Sequence, residues 1–159
     1  MGNNIHSFGS CLETKGSQRV RISGSLGLIG FSFPVAMDAW AAMREKAGSR
    51  RRKEITICGD GEFGQFHMKF TTAVKYGMDF THVHFDDGDL CKSSKEQRSG
   101  ERPVWETDLQ NPSFTTFARF FGGHGIKVTD ASKLEETLAE ASGRNGPAPA
   151  EIMTDAELV

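Results

Sequence analysis

Short apolar runs alternate with longer amphipathic runs along this chain, and that alternation constrains the fold more than any other feature. Residues 55–58 predict a buried strand, and the apolar stripe that begins at Phe63 predicts a helix directly after it. Residues 80–85 predict the next strand. Strands that alternate with helices favour a parallel sheet covered by helices. We therefore expect an α/β fold, a three-layer sandwich with a mostly parallel sheet.

The remaining elements follow the same pattern. Pro34 suits the first turn of a helix that would end near Gly48, and one continuous helix is predicted from Phe63 to Gly77. A polar stretch at 86–111 is long for a connector and indicates a functional loop with some helix. The rest is predicted as a helix at 114–121, a strand at 125–128, a helix through Leu134 and Leu138, and a last strand at 150–153.

Length and charge set broad limits on function. The chain has 159 residues, which is typical of one domain. With 19 basic and 21 acidic residues its net charge is -2, which gives no field to attract nucleic acid or an anionic membrane. The three cysteines are odd in number and widely spaced, so we expect no disulfide framework and a cytoplasmic, soluble protein.

Acidic residues follow two neighbouring predicted strands. Asp60 lies in the turn after the first strand, and Asp86, Asp87 and Asp89 follow the second. Because parallel strands end at one edge of a sheet, these carboxylates should lie together. Magnesium prefers oxygen ligands and is commonly shared between carboxylates and substrate phosphates. The pattern therefore indicates a magnesium site, with phosphates held by the backbone N–H groups after Gly61.

Three sequence blocks resemble one known family. Gly59-Asp60-Gly61 is followed 26 and 27 positions after Asp60 by Asp86-Asp87, and residues 23–34 contain a G-x-L-G-x-x-G-x-x-x-P-like segment. Residues 111–114 and 125–128 look like the helix and the strand that follow the active-site loop in that family. Together they resemble the C-terminal, diphosphate-binding domain of thiamine diphosphate enzymes of the acetolactate synthase, benzoylformate decarboxylase and pyruvate oxidase type. The resemblance covers almost the whole chain.

The resemblance implies a cofactor site with assigned roles. Magnesium would be bound by the Asp60 and Asp87 side chains and by the backbone carbonyl of Asp89. The Gly27 carbonyl would accept a hydrogen bond from the aminopyrimidine amino group of thiamine diphosphate, and Ile29 would force the bent cofactor shape. The complete set of implied cofactor contacts is Gly27, Ile29, Asp60, Gly61, Glu62, Asp87, Asp89, Leu90 and Cys91.

The implied activity belongs to a lyase or transferase that acts on 2-oxo acids. Members of the family take a glutamate from a separate pyrimidine-binding domain, and nothing here resembles that domain. We therefore expect residues 1–159 to form a single diphosphate-side domain that lacks its usual first strand. It would be inactive alone and would need a pyrimidine-binding partner in a homo- or hetero-oligomer, such as a dimer. No catalytic residue is assigned.

Two other functions remain open at this point. Asp86 and Asp87 replace a neutral pair of the family, and this change suits a non-catalytic fragment or assembly module that keeps the fold. The acidic cluster could also serve phosphotransfer, with an aspartate nucleophile and Lys92 nearby.

Several single residues have a functional and a structural interpretation. His82 and His84 alternate on one strand and could hold zinc, but no third ligand is evident and packing is preferred. Structural roles are also preferred for His67 and His124, whose alternative is acid–base chemistry. Cys91 is expected to act through its backbone and not as a reactive thiol. Residues 50–53 should form a solvated basic loop.

Overall fold

A computed structural model describes residues 8–24, 26–45 and 52–158 of the chain. Four strands form one sheet: β1 (Glu54–Gly59), β2 (Phe80–Asp86), β3 (Ile126–Val128) and β4 (Ala148–Met153). Their order across the sheet is β1-β2-β4-β3, and every neighbouring pair is parallel. The predicted parallel α/β architecture is confirmed.

Helices precede and connect the strands, and the elements occur in the predicted order. They are α1 (Ser32–Glu45), α2 (Asp60–Phe66), α3 (Lys69–Lys75), α4 (Cys91–Ser99), α5 (Phe114–Phe120) and α6 (Leu134–Gly143), with single 3₁₀ turns at Ala131–Lys133 and Ala156–Leu158. The predicted end of the first helix at Gly48 and part of the basic loop lie outside the described residues.

One helix prediction was wrong. The apolar stripe from Phe63 to Gly77 predicted a single helix, whereas α2 and α3 are separated at His67 and Met68. In a continuous helix the Gly64 carbonyl would accept the Met68 N–H. Here His67 Nδ1 lies 2.7 Å from the Gly64 oxygen. The His67 side chain thus takes the acceptor that the Met68 N–H would use in a continuous helix.

Apolar side chains pack on both faces of the sheet, which gives three layers. One face carries a cluster of aromatic residues from α1, α2, α3 and α5, including Phe33, Phe63, Phe70 and Phe114. The other face carries small and β-branched strand residues, among them Val83, Ala150 and Ile152, under α6. Because strand side chains alternate between faces, β2 contributes His82 and His84 to the first layer and Val83 to the second.

The polar stretch at 86–111 is ordered and not an open loop. Its first part forms α4, and its second part returns to pair with the turn after β2. Leu90 N donates to Thr107 O at 2.8 Å, and Leu109 N donates to Gly88 O at 2.7 Å. This short antiparallel pairing fixes the segment 107–111 beside the acidic turns. Among the described residues, no helix is both long and apolar enough to cross a bilayer.

Candidate functional site

The two acidic turns meet at the carboxyl edge of the sheet. Asp60 is the first residue of α2, directly after β1, and Asp86 is the last residue of β2. β1 and β2 are in parallel register, with Gly59 opposite Phe85. Gly88 N donates a hydrogen bond to Asp60 Oδ2 at 3.0 Å, so the turn after β2 closes directly on the Asp60 carboxylate.

Asn111 joins the same group from a third segment. Its Nδ2 donates to Asp60 Oδ2 at 2.6 Å and to Asp86 Oδ1 at 2.9 Å. The sequence placed this residue only in a block that resembles the family and did not assign it to the site. No spacing rule could have found it, because its contacts depend on how the segment 107–111 folds back.

Burial dominates the electrostatics of the two bridged carboxyl groups. It raises the pKa of Asp60, and the Asp87 charge raises it further, although hydrogen bonds from Gly61 and Asn111 oppose both effects. The pKa of Asp86 is also raised, first by burial and then by the charges of Asp60 and Glu151. Asp87 thus repels Asp60, and Asp60 repels Asp86, at one partly buried edge, and a bound cation would stabilise that arrangement.

Asp87 and Asp89 shape the turn itself. Asp87 Oδ1 accepts a hydrogen bond from Asp89 N at 3.2 Å, and Asp89 Oδ2 accepts one from Ser94 Oγ at 2.5 Å. Asp89 Oδ1 is buried and has no hydrogen-bond partner among the described residues. The antiparallel pairing uses the carbonyls of Gly88 and Thr107 and leaves the Asp89 carbonyl out of the ladder.

Leu90 and Cys91 pack behind this turn. A Cβ built on Gly61 would lie 3.0 Å from the Leu90 side chain, so Gly61 allows the two turns to approach closely. Burial, followed by the hydrogen bond and charge of Asp87, raises the pKa of Cys91 to about 12. Its thiol is therefore protonated at neutral pH and is a poor nucleophile, in keeping with the preferred interpretation.

The segment that carries Gly27 and Ile29 contacts α2, the helix that begins at Asp60. Gly27 and Gly30 have positive φ angles of 60° and 93°, and a Cβ on Gly30 would lie 2.1 Å from the Phe66 ring. Glu62 Oε1 accepts a hydrogen bond from Ser32 N at 2.9 Å. The Glu62 carboxylate is thus engaged by the start of α1. Ser25, within the same sequence block, lies outside the described residues.

His82 and His84 lie in the aromatic layer and not in a metal site. Their rings are 5.5 Å apart, and the His84 ring stacks on Phe63 at 5.0 Å. Burial lowers the pKa of both histidines, that of His84 to about 4. Within the described ranges, no three His, Cys, Asp or Glu side chains are grouped to hold a metal. The predicted magnesium site needs only two side chains and a carbonyl, so it stays a prediction.

Other singled-out residues lie in ordinary structural positions. The His67 ring packs against Phe117 with centroids 4.9 Å apart, and His124 is exposed. Lys92 forms an exposed ion pair with Glu96 at 3.8 Å. In the basic stretch, Lys53 Nζ contacts Asp79 Oδ1 at 2.5 Å. None of these contacts supports acid–base chemistry or phosphotransfer.

A groove of about 360 Å³ extends from Asp86 and Asp87 to Lys127 and Glu151. Glu151 lies in its lining, fully buried, and its carboxylate accepts hydrogen bonds from Lys127 Nζ at 2.8 Å and from Thr115 N at 2.9 Å. Burial raises the pKa of Glu151, but the bonds from Lys127 and Thr115 outweigh that effect and its pKa lies below the usual value. Thr115 therefore uses both acceptor positions of Glu151 Oε2 through its N–H and hydroxyl groups, and Lys127 neutralises the carboxylate at Oε1.

The molecule is an α/β domain with a parallel sheet, and its glycine-flanked acidic turns lie at the carboxyl edge, where domains of this class bind their ligands. The sequence model of one family of this class, thiamine pyrophosphate enzyme, C-terminal TPP binding domain, matches residues 1–152. The chain belongs to this family, as the sequence resemblance indicated.

Three relatives illustrate the family. The chain is 30% identical to the catabolic acetolactate synthase of Raoultella terrigena over 140 residues, which is 87% of this chain and 24% of the relative. It is 31% identical to the acetolactate synthase large subunit of Parasynechococcus marenigrum over 123 residues, 75% of this chain and 19% of the relative. For the 2-hydroxyacyl-CoA lyase of Arabidopsis thaliana the identity is 25% over 161 residues, with shares of 97% and 27%. The chain thus spans about a quarter of the length of these curated relatives.

Proposed function

We propose that this chain binds thiamine diphosphate and Mg²⁺ as the diphosphate-side domain of a 2-oxo acid decarboxylase or carboligase. The observation that carries the proposal is the hydrogen bond from Gly88 N to Asp60 Oδ2, because it brings both halves of the acidic motif to one sheet edge. The names of two relatives, both acetolactate synthases, support the same reaction class.

The oxygen atoms of Asp60 are consistent with a metal ligand. Oδ2 accepts from both Gly88 N and Asn111 Nδ2, which uses its two lone pairs. Among the residues that the structure describes, Oδ1 accepts a hydrogen bond from Gly61 N alone, at 2.7 Å, and keeps one acceptor position. We assign that position to Mg²⁺, together with the Asp87 side chain and the Asp89 carbonyl. Hard oxygen donors of this kind suit magnesium.

The remaining proposed contacts orient the cofactor. Backbone N–H groups of Glu62 and Cys91 would face the diphosphate. Gly61 and Leu90 would line the same site without donating to it, because their N–H groups already donate to Asp60 Oδ1 and Thr107 O. Gly27 and Ile29 would hold the pyrimidine end. When bound, thiamine diphosphate supplies the carbanion chemistry that 2-oxo acid decarboxylation needs. The described residues offer no assigned acid or base for that chemistry. We therefore propose that a pyrimidine-binding domain or subunit completes the site in an oligomer.

Isothermal titration calorimetry tests this proposal. The chain should bind thiamine diphosphate when Mg²⁺ is present and lose at least about tenfold in affinity, about 1.4 kcal/mol, on Asp60→Ala. Asp38→Asn, on the exposed surface of α1, is the matched control and should bind normally. Pyruvate turnover should be absent until a pyrimidine-binding partner is added. No binding by the native sequence at any Mg²⁺ concentration would reject the proposal.

A second candidate is a non-catalytic module that keeps the fold. It is favoured by the accumulation of Asp60, Asp86 and Asp87 at one partly buried edge, since extra negative charge opposes an anionic diphosphate. Replacing Asp86 and Asp87 by Asn separates the two candidates. Cofactor affinity that is absent in the native chain and restored by this double replacement would support the module.

A further inference from the structure

We infer that Asn111 is a positioning residue that fixes the orientation of the Asp60 carboxylate for metal binding. This inference rests on the proposed function, because it assigns the metal to Asp60 Oδ1. Asn111 lies before α5, outside both acidic turns, and reaches the site from a distance of 51 positions along the chain.

The amide group of Asn111 is chemically suited to this role. Its Nδ2 carries two hydrogens, and each is directed to a different carboxylate, Asp60 Oδ2 and Asp86 Oδ1. A lysine at this position would neutralise the pair and compete with a metal, whereas a carboxylate would repel both partners. The neutral amide holds the two acids at a fixed separation and leaves their negative charge for a cation.

The bond to Asp60 also determines which oxygen faces the proposed metal. Asn111 and Gly88 both donate to Oδ2, so this oxygen is fixed toward the protein and Oδ1 is the atom with a remaining acceptor position. Without Asn111, only the Gly88 N–H would hold Oδ2. The carboxylate could then rotate, and metal binding would have to restore its orientation at a cost in affinity.

The segment that carries Asn111 is itself held in place. Leu109 N donates to Gly88 O, and Ser113 caps α5 by accepting a hydrogen bond from Thr116 N. Asn111 therefore lies between two anchored points, two residues from each. An anchored donor can position a carboxylate, which a mobile side chain cannot do as well.

The first arm of the test needs no cofactor. Hydrogen exchange of the Gly88 amide should be at least about fivefold faster in Asn111→Ala than in the native chain, because Asp60 Oδ2 loses its second anchor. Asn111→Asp preserves the shape but cannot donate when ionised, and it should also accelerate exchange. Asn145→Ala, at an exposed turn, is the control and should leave Gly88 unchanged. Native exchange in both Asn111 variants overturns the inference.

The second arm titrates Mg²⁺ at a fixed concentration of thiamine diphosphate. Asn111→Ala should weaken Mg²⁺ binding about three- to tenfold. The melting temperature of the metal-free chain should change little, because the replacement acts mainly on metal binding. Native Mg²⁺ affinity in Asn111→Ala, when the native chain itself binds, also overturns the inference. If the native chain binds neither ligand, the proposed function fails, and the assignment of Asn111 to metal positioning fails with it. The Gly88 measurement then still decides whether Asn111 holds Asp60.

Discussion

Glu62 Oε1 accepts a hydrogen bond from the backbone N–H of Ser32 at 2.9 Å, across 30 positions of sequence. Ser32 is the first residue of α1, and Glu62 belongs to α2, which begins at Asp60. The bond therefore ties the helix after the acidic turn to the end of the segment that carries Gly27 and Ile29. A buried carboxylate at a helix N-terminus is also stabilised by the helix dipole.

Replacement of Glu62 should lower the stability of the fold. Glu62→Ala leaves the Ser32 N–H without this acceptor and should lower the free energy of unfolding by about 1–2 kcal/mol, as loss of a helix cap does. Chemical denaturation measures this change. Glu62→Gln keeps an acceptor oxygen and should lose less than half as much. Equal losses in the two variants would show that charge, and not the hydrogen bond, is what Ser32 requires.

A pair of glycines offers a test of close packing between α5 and the sheet. A Cβ on Gly125 would lie 2.4 Å from the backbone oxygen of Thr115, and backbone cannot move aside as a side chain can. Gly125→Ala should therefore destabilise the fold by about 2–3 kcal/mol. Gly64, inside α2, has open space around its Cβ position, so Gly64→Ala should stabilise by about 0.5–1 kcal/mol. Thermal unfolding of both variants checks the opposite signs.

The buried Glu151 should depend on its partners in the groove. Lys127→Met leaves the Glu151 carboxylate, among the described residues, with the Thr115 bonds alone. It should lower the free energy of unfolding by about 2 kcal/mol, less than for a fully buried ion pair because the Lys127 side chain is 37% exposed. Adding Glu151→Gln to Lys127→Met should recover part of the loss, since no unpaired charge then remains. Urea denaturation of the single and double variants gives the coupling energy. Additive losses would contradict the pairing.

The sequence predicted the parts of the fold that depend on local pattern. Strands β1 and β2, helix α5 and the meeting of Asp60 with the turn after β2 all follow from apolar periodicity and from the geometry of parallel sheets. The break between α2 and α3 did not, because the apolar stripe continues through it. There a single side chain, His67, takes the carbonyl that would otherwise continue the helix.

The candidate site was also predicted only in part. Resemblance and spacing found the acidic turns, but they did not find Asn111 or the role of the Glu62 side chain. Both residues act through contacts between segments that are far apart in sequence. Such contacts depend on how the loops return to the sheet edge, and hydrophobic patterns carry no information about that return.

The buried histidines should make the protein sensitive to acid. Burial lowers the pKa of His84 from its ordinary value of 6.5 to about 4. Within the part of the chain that the structure describes, neither ring nitrogen of His84 has a hydrogen-bond partner. Between these pH values the unfolded chain binds a proton that the folded chain does not. The free energy of unfolding should therefore fall as pH falls through this window, and His84 should account for at most about 3 kcal/mol of the loss.

The His84→Leu variant isolates this contribution. Asp60 and Asp86 have raised pKa values and change stability in the opposite direction, but His84 is not among the groups that shift them, so their effect cancels between the native chain and the variant. The pKa of His82 is lowered by burial first and then by the charge of His84, so His82 contributes a smaller part of the difference. From pH 7 to pH 4, the native chain should therefore lose about 2–3 kcal/mol more unfolding free energy than the His84→Leu variant. His124→Gln, at an exposed position, should show no such shift. A pH-independent difference for His84→Leu would mean that His84 gains its proton without unfolding, through a local opening of the layer around Phe63 and Phe114.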